Sequence, residues 1–258
     1  MENRLIAIVI HHRQENFLKE ITTALRQLKL PVLIVDDASG GAARNTIAEV
    51  VQSDANIDSL ELESKKGRGA CLKRALVKAV NDGFTHALTI DADMTQNIGD
   101  LQKLIDESEH LPKAVISGCP SNTNTASDDP KAEYIKKLHG LLNALNACSL
   151  EFQDTTCGLR IYPLDETCEV INQENCGDGI DFDTEILIRL NWRGTPIKWI
   201  DIAPVPADRP INNNFSQENT ALLISKMHAR LFAGMVKRKP KEAAMNFINK
   251  HFIINRRD

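Results

Sequence analysis

The sequence predicts an α/β fold with a mostly parallel central sheet and helices on both faces. Three observations carry that expectation. Through the first 118 residues, short apolar runs of strand length alternate with segments of helical period. The 258 residues are enough for one large α/β domain or two small ones. Acidic residues recur where the apolar runs end, and in open parallel sheets ligands bind outside the carboxyl ends of the strands.

Taken in order, LIAIVI (5–10) reads as a strand, and Phe17, Ile21, Leu25 and Leu28 follow at helical spacing. VLIVDD (32–37) is a second strand, with a Ser-Gly-Gly turn and a helix through Ile47 and Val51 behind it. LELES (60–64) is expected as a third strand, then a helix marked by Leu72, Leu76, Ala79 and Val80. HALTID (86–91) is the fourth, a helix carries Leu101, Leu104 and Ile105, and AVISG (114–118) is the fifth. Beyond residue 118 the rhythm breaks. The stretch 120–133 is rich in Ser, Thr, Asn, Asp and Pro and reads as a loop. A helix through Ile135, Leu138, Leu142 and Leu145 follows, then GLRIYP, a helix over 182–192, an extended IKWIDIAPV and a second long loop over 206–217. Residues 1–217 are expected to form the main domain. Residues 218–258 read as a basic helical extension on the domain or on a membrane surface.

Composition is that of a soluble globular chain: 42% hydrophobic, 26% charged, net charge −4. No apolar run approaches the ~18–20 residues needed to cross a bilayer. The N-terminus turns polar too soon for a signal peptide, so the chain is expected in the cytoplasm. Six cysteines show no C-x-x-C pair, which argues against a zinc site or disulfide framework and for reduced thiols. From Glu218 to Asp258 nine Lys/Arg stand against three Asp/Glu. That points to an anionic surface as partner, with phospholipid preferred over nucleic acid.

In LTIDADMTQ (88–96), Asp91 and Asp93 fall on one side of an extended backbone, because side chains alternate with period two. Two carboxylates so close repel, and a divalent cation or a shared proton resolves the conflict. Asp36 and Asp37 end the second strand and should converge on the same crevice. KKGRG (65–69) opens a helix, and a glycine-flanked basic helix start suits a nucleotide phosphate, which nominates Lys66 and Arg68. Asp181, Asp183 and Glu185 in DFDTE offer carboxylates for general-base work, or a helix cap with dipole-complementing acids.

VLIVDDAS, KKGRGACLKRAL, LTIDADMTQNIGDLQKLI, DTTCGLRIYP and DFDTEILIRLNWRG, in that order, resemble a family 2 glycosyltransferase of GT-A fold, the group that includes dolichol-phosphate mannose synthases. SKMHARLFAGM (225–235) is similar to bacterial members fused to, or encoded beside, lipid-A-type acyltransferases. The resemblance implies an inverting, metal-dependent hexosyl transfer from a nucleotide-diphosphate sugar. Asp93, with Asp91 directly or through water, would bind Mg²⁺ or Mn²⁺, and Asp91 would also contact the ribose. Asp37, then Asp36, would hold the nucleobase or ribose, and Glu15 keeps the character of the family's opening motif. Asp154 would lie near the acceptor or donor sugar and Arg160 near the diphosphate. The base would be Asp183, then Glu185. A lipid or other cell-envelope acceptor, contact with the inner membrane face and an acyltransferase partner are implied by the same association. Two other readings of the aspartate pair stand beside it: a haloacid-dehalogenase-type phosphatase on Asp91, Asp93 and Thr95, and a GT-A module that binds nucleotide sugar without catalysis.

Overall fold

The computed structural model describes residues 3–11, 15–92, 98–120, 130–149, 152, 155, 157–203 and 217–237. Along the chain run β1 (Leu5–His11), α1 (Glu15–Gln27), β2 (Val32–Asp36), α2 (Gly41–Ser53), β3 (Ile57–Glu61), α3 (Arg68–Asn81) and β4 (His86–Asp91). A 3₁₀ turn (Ile98–Asp100) leads into α4 (Leu101–His110), β5 (Val115–Pro120), α5 (Pro130–Ala147), β6 (Arg160–Pro163) and α6 (Leu164–Gln173). α7 (Phe182–Trp192), β7 (Ile197–Ile202) and α8 (Gln217–Lys237) complete the described chain.

The strands form one seven-stranded sheet in the order β3-β2-β1-β4-β6-β5-β7. β1 pairs in parallel with β2 and β4, β2 with β3, and β5 with β7. β6 alone runs against its neighbours β4 and β5. The central strands are apolar on both sides, as a two-faced sheet requires. In β1, Ala7 and Val9 face a core with α1, α2 and α4 through Leu18, Ile47 and Leu101. Ile6, Ile8 and Ile10 face the opposite core with α3, α6 and α7 through Leu72, Val170 and Ile186. The expected helix-covered sheet is the one observed.

Several expectations change in detail. The third strand lies at 57–61, three residues earlier than LELES, because Ile57 through Glu61 register against Val32 through Asp36. Residues 164–173, unassigned from the sequence, form α6, which buries Leu164, Thr167, Cys168 and Val170. α5 begins at Pro130, inside the segment expected as loop.

The larger correction concerns which side of α5 is inside. Leu138 and Leu145 from the expected apolar stripe are exposed, and so is Leu141, while Asn143, Asn146 and Ala147 are buried. The amide N–H groups of the polar side find partners inside, while Asn143 Oδ1 is buried without one among the described residues. Asn143 Nδ2 donates to Thr155 Oγ1 (3.0 Å), Asn146 Nδ2 meets His228 Nδ1 of α8 (3.0 Å), and Trp192 Nε1 donates to Asn146 O (2.8 Å). α8 docks with Met227 and Leu231 buried against Ala147 and Ile188, so this part of the basic extension packs on the domain. No described helix is long and apolar enough to cross a membrane, and among the described residues the six cysteines form no disulfide.

Candidate active site

The parallel strands β1, β2 and β4 deliver their carboxyl ends to one edge of the sheet, and the acids expected there are present. Asp36 ends β2, 2% exposed. Its Oδ1 lies 2.8 Å from His11 Nδ1 on the neighbouring strand and accepts Ser39 Oγ (2.5 Å), while Oδ2 accepts Ser39 N (2.9 Å). Burial pushes this carboxyl up, yet the bonds from His11 and Ser39 outweigh it and hold it below its ordinary value. The turn it closes carries Ala38 at φ 55, a left-handed conformation that costs a non-glycine residue about 1 kcal/mol or more. Asp36 is therefore the turn-holding acid of the pair.

Asp37 does something else. It accepts the backbone N–H of Lys66 on Oδ1 (2.7 Å) and of Gly67 on Oδ2 (2.9 Å), fixing the KKGRG turn from below. Gly67 adopts φ +102, and a Cβ there would stand 2.7 Å from Asp178 O. Only glycine fits, which the sequence shows as the first glycine of KKGRG.

Arg68, the first residue of α3, is 7% exposed and bridges two acids. Nη1 pairs with Asp91 Oδ1 at the end of β4, and Nε donates to Asp183 Oδ2 at 2.6 Å in the first turn of α7. Its Nη2 is buried without a hydrogen-bond partner among the described residues. Gly158, just before β6, makes this approach possible, since a Cβ there would lie 2.7 Å from Asp91 Oδ2 and against the guanidinium. Arg160 lies fully buried beneath Asp183. It donates from Nη1 to Asp183 O (2.7 Å) and Tyr162 Oη (3.1 Å), from Nη2 to Thr155 O (2.5 Å) and from Nε to Ser117 Oγ (3.2 Å). Thr155 Oγ1 in turn meets Thr184 Oγ1 at 2.8 Å.

A second cluster is built around Glu185, two residues after Asp183 in the same first turn of α7. Glu185 is fully buried and accepts Gly177 N (2.9 Å), Arg189 Nη2 (2.6 Å) and Arg230 Nη2 of α8 (2.5 Å). Burial raises its carboxyl, but Arg230 and Arg189 prevail and hold it below the usual value. Arg230 Nη2 also reaches Asp181 Oδ2 (2.8 Å), so this cation of the basic C-terminal helix neutralises two buried acids. Asp181 stands at the N-cap position of α7 without a side-chain capping bond.

The structure thus gathers Arg68, Asp91, Asp183 and Arg160 at the crevice, with Asp37 and Lys66 beside them. Glu185 lies behind, enclosed by arginines. Asp93 and Asp154 lie outside the described residues, as does the side chain of Glu15, which opens α1. Sequence reasoning missed His11, Gly158, Thr155 and Arg189. Of these, a glycine in DTTCGLR was the one visible signal.

Among the described residues no group of three His, Cys, Asp or Glu is arranged to hold a metal. The donor available among the described residues is the carboxylate of Asp91, one oxygen of which Arg68 engages, two positions before Asp93 in the sequence. That fits Mg²⁺ or Mn²⁺, hard ions that one or two carboxylates hold together with substrate phosphates.

A family model for glycosyl transferase family 2 matches residues 6–165. The chain belongs to that family. The match spans β1 through β6 and the Asp36, Arg68 and Asp91 elements just described. Among curated proteins no relative matches. Solved structures share the fold at low identity. Glucosyl-3-phosphoglycerate synthase from Mycobacterium tuberculosis, solved with uridine diphosphate, is 10% identical with a TM-score of 0.66, over 90% of this chain and 79% of that one. Mannosyl-3-phosphoglycerate synthase from Rubrobacter xylanophilus is 14% identical with a TM-score of 0.63, over 93% and 75%. A mannosyltransferase from Pyrobaculum calidifontis, solved with GDP-Man and Mn²⁺, is 12% identical with a TM-score of 0.54, over 100% and 82%. The family 2 chain therefore has the GT-A arrangement that its motifs implied.

Proposed function

We propose that the chain moves a hexosyl group from a nucleotide-diphosphate sugar to an acceptor hydroxyl or phosphate by a single inverting displacement. The observation that carries this reading is Arg68, spanning Asp91 and Asp183 at the strand ends with one buried N–H group left over. A guanidinium placed so offers a preorganised donor to a phosphate oxygen of the leaving group. Asp91 and Asp93 would hold Mg²⁺ or Mn²⁺, which supplies further electrostatic stabilisation to the diphosphate when bound. Asp37, by fixing the 66–67 turn, sets where Lys66 and Arg68 meet the nucleotide, and Glu15 and Asp36 border the base and ribose.

Asp183 is assigned as the base that takes the acceptor proton as the acceptor oxygen attacks the anomeric carbon and the bond to diphosphate breaks. Arg160 is a positioning residue that holds the Asp183 peptide. Glu185 anchors α7 to α8, and Asp154 is read as a contact to the sugar. The acceptor is read as lipid-linked or part of the cell envelope, handled at the cytoplasmic membrane face beside an acyltransferase, on the strength of the 225–235 resemblance and the basic C-terminal segment.

The test is thermal unfolding with Mn²⁺ and UDP, GDP, CDP or dTDP in turn, followed by donor turnover with the one that binds. A ligand at ~100-fold its dissociation constant adds about 2.7 kcal/mol, or about 5–10 °C for a chain of this size. One nucleotide should stabilise only with metal, and Asp93→Ala should abolish the effect. Stabilisation by a beryllofluoride phosphate mimic with Mg²⁺, and by no nucleotide, would instead establish the phosphatase reading. Metal-dependent binding with neither transfer nor donor hydrolysis would leave a binding module.

A further inference from the structure

α5 is packed inside out for a helix on a soluble domain, with asparagines inward and leucines outward. Leu138, Leu141 and Leu145 are 42%, 66% and 53% exposed. α8 lies alongside in the same chain direction, His139 against His228 (ring centroids 5.2 Å apart) and Cys148 Sγ 3.7 Å from Met235 Sδ. Its own outer side also exposes apolar residues, with Leu222, Phe232 and Val236 each about half exposed (53%, 53% and 51%). The remaining exposed positions of α8 are small residues, apart from Lys226 and Lys237 along one edge. Singly exposed leucines need no explanation, but six large apolar side chains on two adjoining helices form the kind of surface that something covers.

Charge selects what covers it. Residues 130–147 and 217–258 together carry twelve Lys/Arg against four Asp/Glu, while the rest of the chain carries nineteen against thirty-one. The chain leaves the end of α8 with Arg238, Lys239 and Lys241, and has Lys250, Arg256 and Arg257 further on, against Glu242 and Asp258. A second copy of this chain would bring the same positive segment against itself. An anionic bilayer surface accepts apolar side chains at the headgroup boundary and attracts flanking lysine and arginine.

We propose that the outer face of α5 and α8 is the surface by which the chain lies on anionic phospholipid, with Leu141 and Phe232 entering the headgroup boundary and Lys226 and Lys237 meeting the phosphates. The proposal gives the membrane part of the functional reading a definite face, and it rests on that reading only for its setting. α8 is also the helix whose Arg230 neutralises Asp181 and Glu185 of α7, so the docked face and the crevice share a rigid connection.

The experiment is co-sedimentation of the full chain with vesicles of phosphatidylcholine alone and of phosphatidylcholine with 30 mol% phosphatidylglycerol, at low salt and at 0.5 M NaCl. Leu141→Gln/Phe232→Gln is run beside the parent, with melting temperature and light-scattering mass recorded for both. The expected result is binding to the anionic vesicles alone, reversed by salt and weakened about tenfold or more in the double variant at unchanged melting temperature. Four outcomes overturn the proposal. No vesicle binding does so, and so does equal binding to neutral vesicles. Undiminished binding by the double variant would show that the basic segment acts without this face. A parent dimer that the double variant breaks, without vesicle binding, would make the face a subunit interface. Nucleotide-dependent stabilisation, measured on the same preparations, reports on the transferase reading separately, so the two fail independently.

Discussion

Replacing Arg68 with methionine removes the one cation that Asp91 and Asp183 share while keeping most of the apolar stem. The two acids differ in their shelter, since the Asp183 side chain is 8% exposed and that of Asp91 24%. Breaking a buried pair by deleting one partner costs about 3–5 kcal/mol, because the remaining charge stays desolvated. The partial exposure of Asp91 moves the expectation to the lower end, about 3 kcal/mol, or about 6–12 °C in melting temperature for a chain of this length. Differential scanning fluorimetry at neutral pH reads that shift directly. The double variant Arg68→Met/Asp183→Asn also removes the stranded carboxylate and should recover at least half of the loss. If the single variant melts within about 2 °C of the parent, or the double variant melts no higher than the single, Arg68 does not hold the crevice together electrostatically. Donor turnover should fall in both variants, because neither retains the spare N–H group.

Three further outcomes are expected from the same geometry. Asp37→Ala frees the N–H groups of Lys66 and Gly67, so trypsin should cut faster at Lys65 and Lys66 and the donor KM should rise about tenfold with a smaller change in kcat. Burial and the neighbouring His139 push His228 down to about 4, so the unfolded chain takes up that proton near 6.5 while the folded chain does not. Stability should therefore be complete above about pH 6.5 and fall by about 2 kcal/mol between pH 7 and pH 5, a slope that urea titrations should find shallower in His228→Gln. Below about pH 4.5 a separate loss should set in, because the unfolded chain takes up a proton there that Glu185, held below its ordinary value, still refuses in the fold, and Arg230→Met should make that loss smaller.

The buried half of the fold was legible because burial writes itself into periodicity. β1 and β2 are apolar up to their last residue, β4 is interrupted only by Thr89 between its ends, and α1, α3 and α4 repeat their leucines and isoleucines at helical spacing. The edges were not. β3 exposes Asp58, Ser59 and Glu61, so its pattern carries little signal, and the alternating leucines of LELES drew the expectation three residues late. α5 misled for the opposite reason. Its leucines have a helix's period but not a core's destination, and only the partners Thr155, His228 and Trp192 reveal that its asparagines go in. At the site, the acids at strand ends were legible one by one, whereas their bonds were not. Arg68 meets Asp183 across 115 residues of chain, and Arg230 meets Glu185 across 45.

The reversed strand β6 has a consequence for how the crevice can change. Its parallel neighbours supply the crevice from their carboxyl ends, whereas β6 supplies it from its amino end, through Thr155 and Gly158 beside the end of β4. One rim of the crevice is thus written by loops that also begin helices, and lengthening any of them would disturb a helix start such as that of α3. The other rim is written by the connection from α5 into β6, which ends in a four-residue strand and starts no helix at the crevice. Within it Thr155 and Gly158 are held by Arg160, Thr184 and the Arg68–Asp91 approach, so change there is confined to the other positions of the connection, while the Asp36, Asp37 and Arg68 side keeps its form. Under the proposed transfer, the acceptor side of the crevice is the one such a chain alters more readily.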